Sequence, residues 1–178
     1  MNPCAEGIRR RMEPLVDIVI EDTRWVAFGL ELLAERAVAA TLTALELPLV
    51  GYTVCVMGCD DARIATLNAE FRGKPTPTNV LSWPVEDLPP DAEGDEPFLP
   101  SEGDPEDPES LGDIALSYET CLREATEADK PMADHVTHLV IHGLLHCVGY
   151  DHISDGDAAR MEGLEVRILA SLGLPDPY

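Results

Sequence analysis

Residues 138–152 read HLVIHGLLHCVGYDH, and their spacing decides how the rest of the chain is read. Val136, Leu139, Val140, Leu144 and Leu145 recur at helical intervals and predict a helix from about Pro131 to Val148. Pro131 suits its first turn, and Gly149 suits the left-handed residue that stops it. His142 and His146 stand four apart and so project from one helix face, about 6 Å between Cβ atoms. His152 follows six residues later, with Gly149 supplying the turn that returns the chain across the helix end. Three neutral imidazoles with one tetrahedral position left open describe a zinc site of the catalytic rather than the structural type. His138 and His135 extend the same stripe by one and two turns and read as ordinary helix residues, His138 keeping a lesser option of supporting a ligand from behind. Asp151 either orients an imidazole or a water, or stabilises the turn.

The flanking segments supply a sheet for that helix. Residues 15–20 (LVDIVI) and 51–57 (GYTVCVM) read as strands, separated by a long helix over 25–47 with Asp22 as its cap. Asp60 and Asp61 start a helix over 61–71 that ends at Gly73, and residues 80–83 form a third strand. Residues 112–117 (GDIALS) form a fourth, followed by a short polar helix over 119–128. Ser154 and Asp157 make a capping box for a last amphipathic helix through Ala158, Met161, Leu164, Ile168 and Leu172. Four strands and about five helices, out of regular alternation, predict an α+β fold: a small mixed four-stranded sheet packed with helices, with the zinc site on a helix-turn. The whole chain, 1–178, fits one domain.

Charge excludes the simplest nucleic-acid reading. With 34 Asp and Glu against 12 Lys and Arg, the formal net charge is -22, so a broad basic face is ruled out. Half of that charge sits in residues 86–109, where 24 positions hold 11 acids, six prolines and no Lys or Arg. The segment reads as an exposed, poorly ordered linker; an acidic tether for a basic partner is the lesser option. Five cysteines in no CxxC pairing read as reduced, small apolar fillers. No signal-like apolar run occupies the first 30 residues, where Arg9, Arg10 and Arg11 are followed by acids, and no apolar window spans a membrane, so a cytosolic protein is expected.

The ligand spacing matches the HExxHxxGxxH pattern of metzincin peptidases at every position but one. Gly143 stands where the catalytic Glu belongs, which removes the usual general base and is expected to open space beside the metal for a larger group such as a phosphodiester. Together with FRGKPTPTNVLSWP at 71–84 and LGDIALS at 111–117, the segment HGLLHCVGYDH resembles the bacterial YbeY-type metallo-endoribonucleases. The resemblance runs from about Asn68 to Tyr178. Trp83 and Cys147 replace the family's more frequent Phe and Leu, and 86–109 is longer than usual.

The resemblance implies a zinc-dependent endoribonuclease specific for single strands, used in maturing the 3' end of 16S rRNA and in ribosome quality control. Its implied partners are the 16S rRNA precursor and the ribosome or small-subunit proteins, with no DNA and no membrane. It also implies a functional arginine at Arg72, whose planar fork suits a phosphate. The plainer reading of Arg72 is a surface residue paired with a local acid; Lys74 is weaker still. Thr78, Asn79 and Ser82 either line the site or close the loop, and Trp83 reads as core. Two other classes remain: a ribosome assembly factor whose zinc is structural, and a zinc hydrolase acting on a substrate other than RNA.

Overall fold

The alternation of side chains along β2 (Tyr52–Cys59) gives the sheet two buried faces. Val54 and Val56 enter the larger core, whereas Cys59 enters a smaller one against which Met57 packs. The computed structural model describes residues 14–178; Cys4 and the Arg9, Arg10 and Arg11 run lie outside the described residues. Strand order is β1-β2-β4-β3. β1 (Val16–Ile20), β2 and β4 (Glu109–Ser117) run parallel, and β3 (Val80–Pro84) pairs antiparallel with β4. The expected α+β fold with a mixed four-stranded sheet is therefore present.

Six helices occur among the described residues, because the single helix expected over 25–47 is two. α1 (Arg24–Phe28) ends at Gly29, whose φ of 84° breaks the ladder before α2 (Leu30–Ala44) begins. The break lets Trp25 turn fully inward, where its Nε1–H donates to the Cys59 carbonyl at 2.9 Å. Asp22 caps the start of α1 as expected, its carboxylate accepting the Arg24 N–H two residues on at 3.0 Å. α3 (Asp61–Arg72) begins as expected, with the Asp60 side chain accepting from the Arg63 N–H at 2.8 Å, and ends at Gly73 with φ of 67°. Its Ile64 and Leu67 form the smaller core with Leu81 and Ala115.

α4 (Tyr118–Glu127) leads into α5 (Met132–Cys147), which lies in the larger core with Val136, Val140, Ile141, Leu144 and Leu145 buried. Removing one such leucine to alanine costs roughly 2–5 kcal/mol. β4 carries a bulge where α5 ends, for its register with β2 shifts between Thr53 and Val54. Gly112 sits there with φ of 146°, and a Cβ on it would lie 2.4 Å from the Trp83 carbonyl and 2.7 Å from the Cys147 sulfur. α6 (Asp155–Ser171) opens on the expected box, Ser154 Oγ accepting from the Asp157 N–H at 3.1 Å.

Residues 86–109 are not the loose linker their composition suggests. β4 already begins at Glu109, and Leu88 is buried. The Gly94 N–H donates to Asp157 at 2.8 Å, Arg160 Nε donates to the Gly94 carbonyl at 2.6 Å, and the Tyr52 hydroxyl donates to the Ser101 carbonyl at 3.0 Å. The segment docks through its backbone, which composition does not report, while its acids stay in solvent. Cys55, Cys59, Cys121 and Cys147 are free thiols, the last three buried as small fillers.

Candidate metal centre

α5 buries one face against the sheet, which leaves His142 and His146 half-buried on the other. Past the helix, Gly149 takes φ of 96°, and the Tyr150 N–H donates back to the Leu145 carbonyl at 3.0 Å. A Cβ on Gly149 would lie 2.2 Å from the Leu88 carbonyl oxygen, so both the turn and the strap above it, residues 86–109, require glycine. Asp151 accepts the His152 N–H at 2.7 Å, which is the turn-stabilising role. His152 thereby comes back over the helix end. Its ring centroid lies 5.3 Å from that of His142 and 5.0 Å from that of His146, which are themselves 4.6 Å apart. One nitrogen from each of the three lies within 4.8 Å of the others.

Hydrogen bonding shows which nitrogens face the centre. His146 Nδ1 is 3.0 Å from the Tyr150 carbonyl, which can only accept, so Nδ1 carries the hydrogen. His142 Nδ1 lies 2.6 Å from Glu165 Oε1. Burial alone would raise the Glu165 carboxyl, but hydrogen bonds from His138, His142 and Tyr178 hold it at about 2. It is therefore an ionised acceptor, and His142 Nδ1 donates. Both Nε2 atoms are left with lone pairs, 3.0 Å apart and facing each other. Two such lone pairs repel unless a cation lies between them, so the donor set fits a metal ion. Burial, with His142 and His152 nearby, pushes the His146 imidazole down to about 4, which keeps it neutral as a ligand must be.

The centre opens onto a cleft of about 530 Å³ lined by His146, Gly149, Tyr150 and Asp151 on one side and by Arg72, Ser82 and Pro84 on another. Asp87, Pro89 and Pro90 of the strap complete it. Arg72 is the last residue of α3, is exposed, and forms no ion pair with any described residue. Lys74 is exposed and does not line the cleft; Arg160 is held by the strap, and Arg123 stands beside Thr120 and Asp61. Asn79 closes the loop, since its amide donates to Glu124 at 2.9 Å and its carbonyl group accepts the Val80 N–H at 2.6 Å. Trp83 is half-buried against Phe71, ring centroids 5.0 Å apart. His135 pairs with Glu124 at 2.8 Å, as an ordinary helix residue would.

Two readings change. Gly143 does not open space beside the histidines: a Cβ there would lie 3.1 Å from Ile114, so the glycine allows α5 to sit close on β4. Glu165 was absent from the candidate residues, although it is fully buried and touches both His142 and His138. A signal for it existed in the sequence, because an acid four residues after Met161 and three before Ile168 lies on the apolar stripe of α6.

A family model described as Endoribonuclease YbeY matches residues 18–173. The chain belongs to the YbeY endoribonuclease family. A curated relative from Dinoroseobacter shibae, named Endoribonuclease YbeY, is 63% identical over 163 residues, covering 92% of this chain and 90% of its own. One of the same name from Paracoccus denitrificans is 56% identical over 176 residues, covering 99% and 97%. A protein from Thermotoga maritima, known from a solution structure, aligns with a TM-score of 0.52 at 22% identity over 89% of this chain and 91% of its own, and shares the fold. Membership of a metallo-endoribonuclease family accords with the histidine cluster at the cleft. Among the described residues, no helix is long and apolar enough to cross a membrane.

Proposed function

We propose that this chain is a zinc-dependent endoribonuclease of the cytosol that cuts single-stranded RNA, acting on the 16S rRNA precursor at the ribosome. The observation that carries the reading is the convergence of His142, His146 and His152 beside a cleft that also holds Arg72, which has no ion pair among the described residues. A bound zinc ion would supply Lewis acidity and a water of lowered pKa. The two Nδ1–H groups hold the lone pairs of His142 and His146 toward the ion's position, and the guanidinium of Arg72 binds a phosphate in two-point fashion. Pro89, Pro90 and Tyr150 line the cleft together with Asp87, Asp151 and Asp157. The whole chain acts as one domain in this reading.

The test is zinc content of protein purified without a histidine tag, followed by cleavage of single-stranded ribosomal RNA. About one zinc per chain is expected, lost with activity in His146→Ala. Intact RNA under conditions where a control nuclease cuts would overturn the reading. The acids of the cleft favour one second reading, an assembly factor with a structural zinc. Full function in cells of an Arg72→Ala variant with normal zinc content would support it. A peptidase is disfavoured, since Gly143 brings no carboxylate and faces Ile114.

A further inference from the structure

Behind the histidines, on the side away from the cleft, lies a second constellation that the proposed reaction does not use. Glu165 of α6 has a side chain fully excluded from solvent, and three groups from α5 and the segment after α6 converge on its carboxylate. A buried carboxylate without partners is strongly disfavoured, so its acceptor sites must be filled. Oε1 accepts from His142 Nδ1 at 2.6 Å; Oε2 accepts from His138 Nε2 at 3.3 Å and from the Tyr178 hydroxyl. The Tyr178 ring also stands edge-on to His138, centroids 5.7 Å apart. Burial and Glu165 together push the Tyr178 phenol up, so it stays a donor.

We infer that Glu165, clamped by Tyr178 and His138, is the positioning residue of the metal centre: it selects the Nδ1–H form of His142 and turns its Nε2 lone pair to the ion. The inference rests on the proposed metal site at His142, His146 and His152. Its physical basis is an asymmetry between the two helix ligands. His146 is oriented by a backbone carbonyl, which no substitution removes, whereas His142 depends on one side chain from another helix. The charge of Glu165 adds a second effect, for an anion hydrogen-bonded to a ligand makes that imidazole a stronger donor to a cation. Tyr178 holds the carboxylate from the far side, so residues 23 or more positions from His142 control its orientation.

The experiment uses full-length protein and two readouts. Nitrogen-15 NMR of the histidine rings in metal-free protein reports the tautomer of His142, and competition with a chromophoric chelator reports zinc affinity. In the unaltered protein His142 is expected as the Nδ1–H form. Glu165→Gln is expected to populate the Nε2–H form and to weaken zinc binding by roughly 10–100-fold. Tyr178→Phe, which leaves the carboxylate in place, is expected to shift both readouts in the same direction by less. An unchanged His142 tautomer and unchanged zinc affinity in folded Glu165→Gln and Tyr178→Phe would overturn the inference. So would two zinc ions per chain with one lost in His138→Ala, because Glu165 would then be a ligand itself within the His138, His142 and Glu165 grouping. If the unaltered protein bound no zinc, the proposed function would fail, while the tautomer measurement would still decide the role of Glu165.

Discussion

The two walls of the cleft are built to opposite specifications. On the histidine wall, His142 and His146 each have one nitrogen committed to a buried or backbone acceptor and the other turned to the centre. On the facing wall, Arg72 extends from the end of α3 into solvent with no ion pair among the described residues. The first wall has already met the entropic cost of ordering its groups; the second leaves a flexible cation to be ordered by whatever anion arrives. Arg63, on the same helix, is by contrast paired with Glu21.

This contrast predicts that damage to the walls will separate. The largest effect is expected from His142→Ala, which loses metal and RNA cleavage together; elemental analysis alongside a cleavage assay checks it. Next comes Gly143→Glu, which completes the peptidase pattern on paper but drives a carboxylate at Ile114. It is expected to cost about 4 kcal/mol or more in urea denaturation and to yield no peptide hydrolysis. Arg72→Glu is expected to lower kcat/KM on RNA by on the order of 10²–10³-fold while zinc content stays normal. Equal metal loss in His142→Ala and Arg72→Glu would erase the distinction between the walls.

Two smaller effects test how the strap joins the histidine wall. Gly149→Ala places a side chain in the left-handed region and against the Leu88 carbonyl, at an expected cost of about 2–3 kcal/mol in thermal or urea unfolding. Ser154→Ala removes the cap of α6 and frees Asp157, which also holds Gly94. About 1 kcal/mol of stability should go, and limited proteolysis should cut faster within 86–96. Unchanged proteolysis would show that Leu88, Tyr52 and Arg160 hold the strap without Asp157.

Much of the candidate site was legible because its parts are close in sequence. The HxxxH spacing and Gly149 are local rules: a helix of fixed pitch places i and i+4 on one face, and glycine is favoured where φ is positive. The same locality made the caps at Asp60 and Ser154 readable. Gly29 shows where local reading stopped, for a glycine within an apolar helical stripe is tolerated often enough that only the burial of Trp25 against Cys59 explains the break. Gly143 was read by analogy with a peptidase pattern, and packing against Ile114 gives it another purpose.

By itself, then, the sequence determined the strands, the histidine-bearing helix and its returning turn, because those follow from periods and dihedral preferences over a few residues. Only the tertiary structure decided three other things: that Glu165 and Tyr178 stand behind His142, that Arg72 faces the histidines across a cleft, and that 86–109 is docked. Each of these joins groups tens of residues apart, through a buried charge that needs partners or a backbone that needs acceptors. Such needs are met in space and leave only a faint trace in the order of the chain.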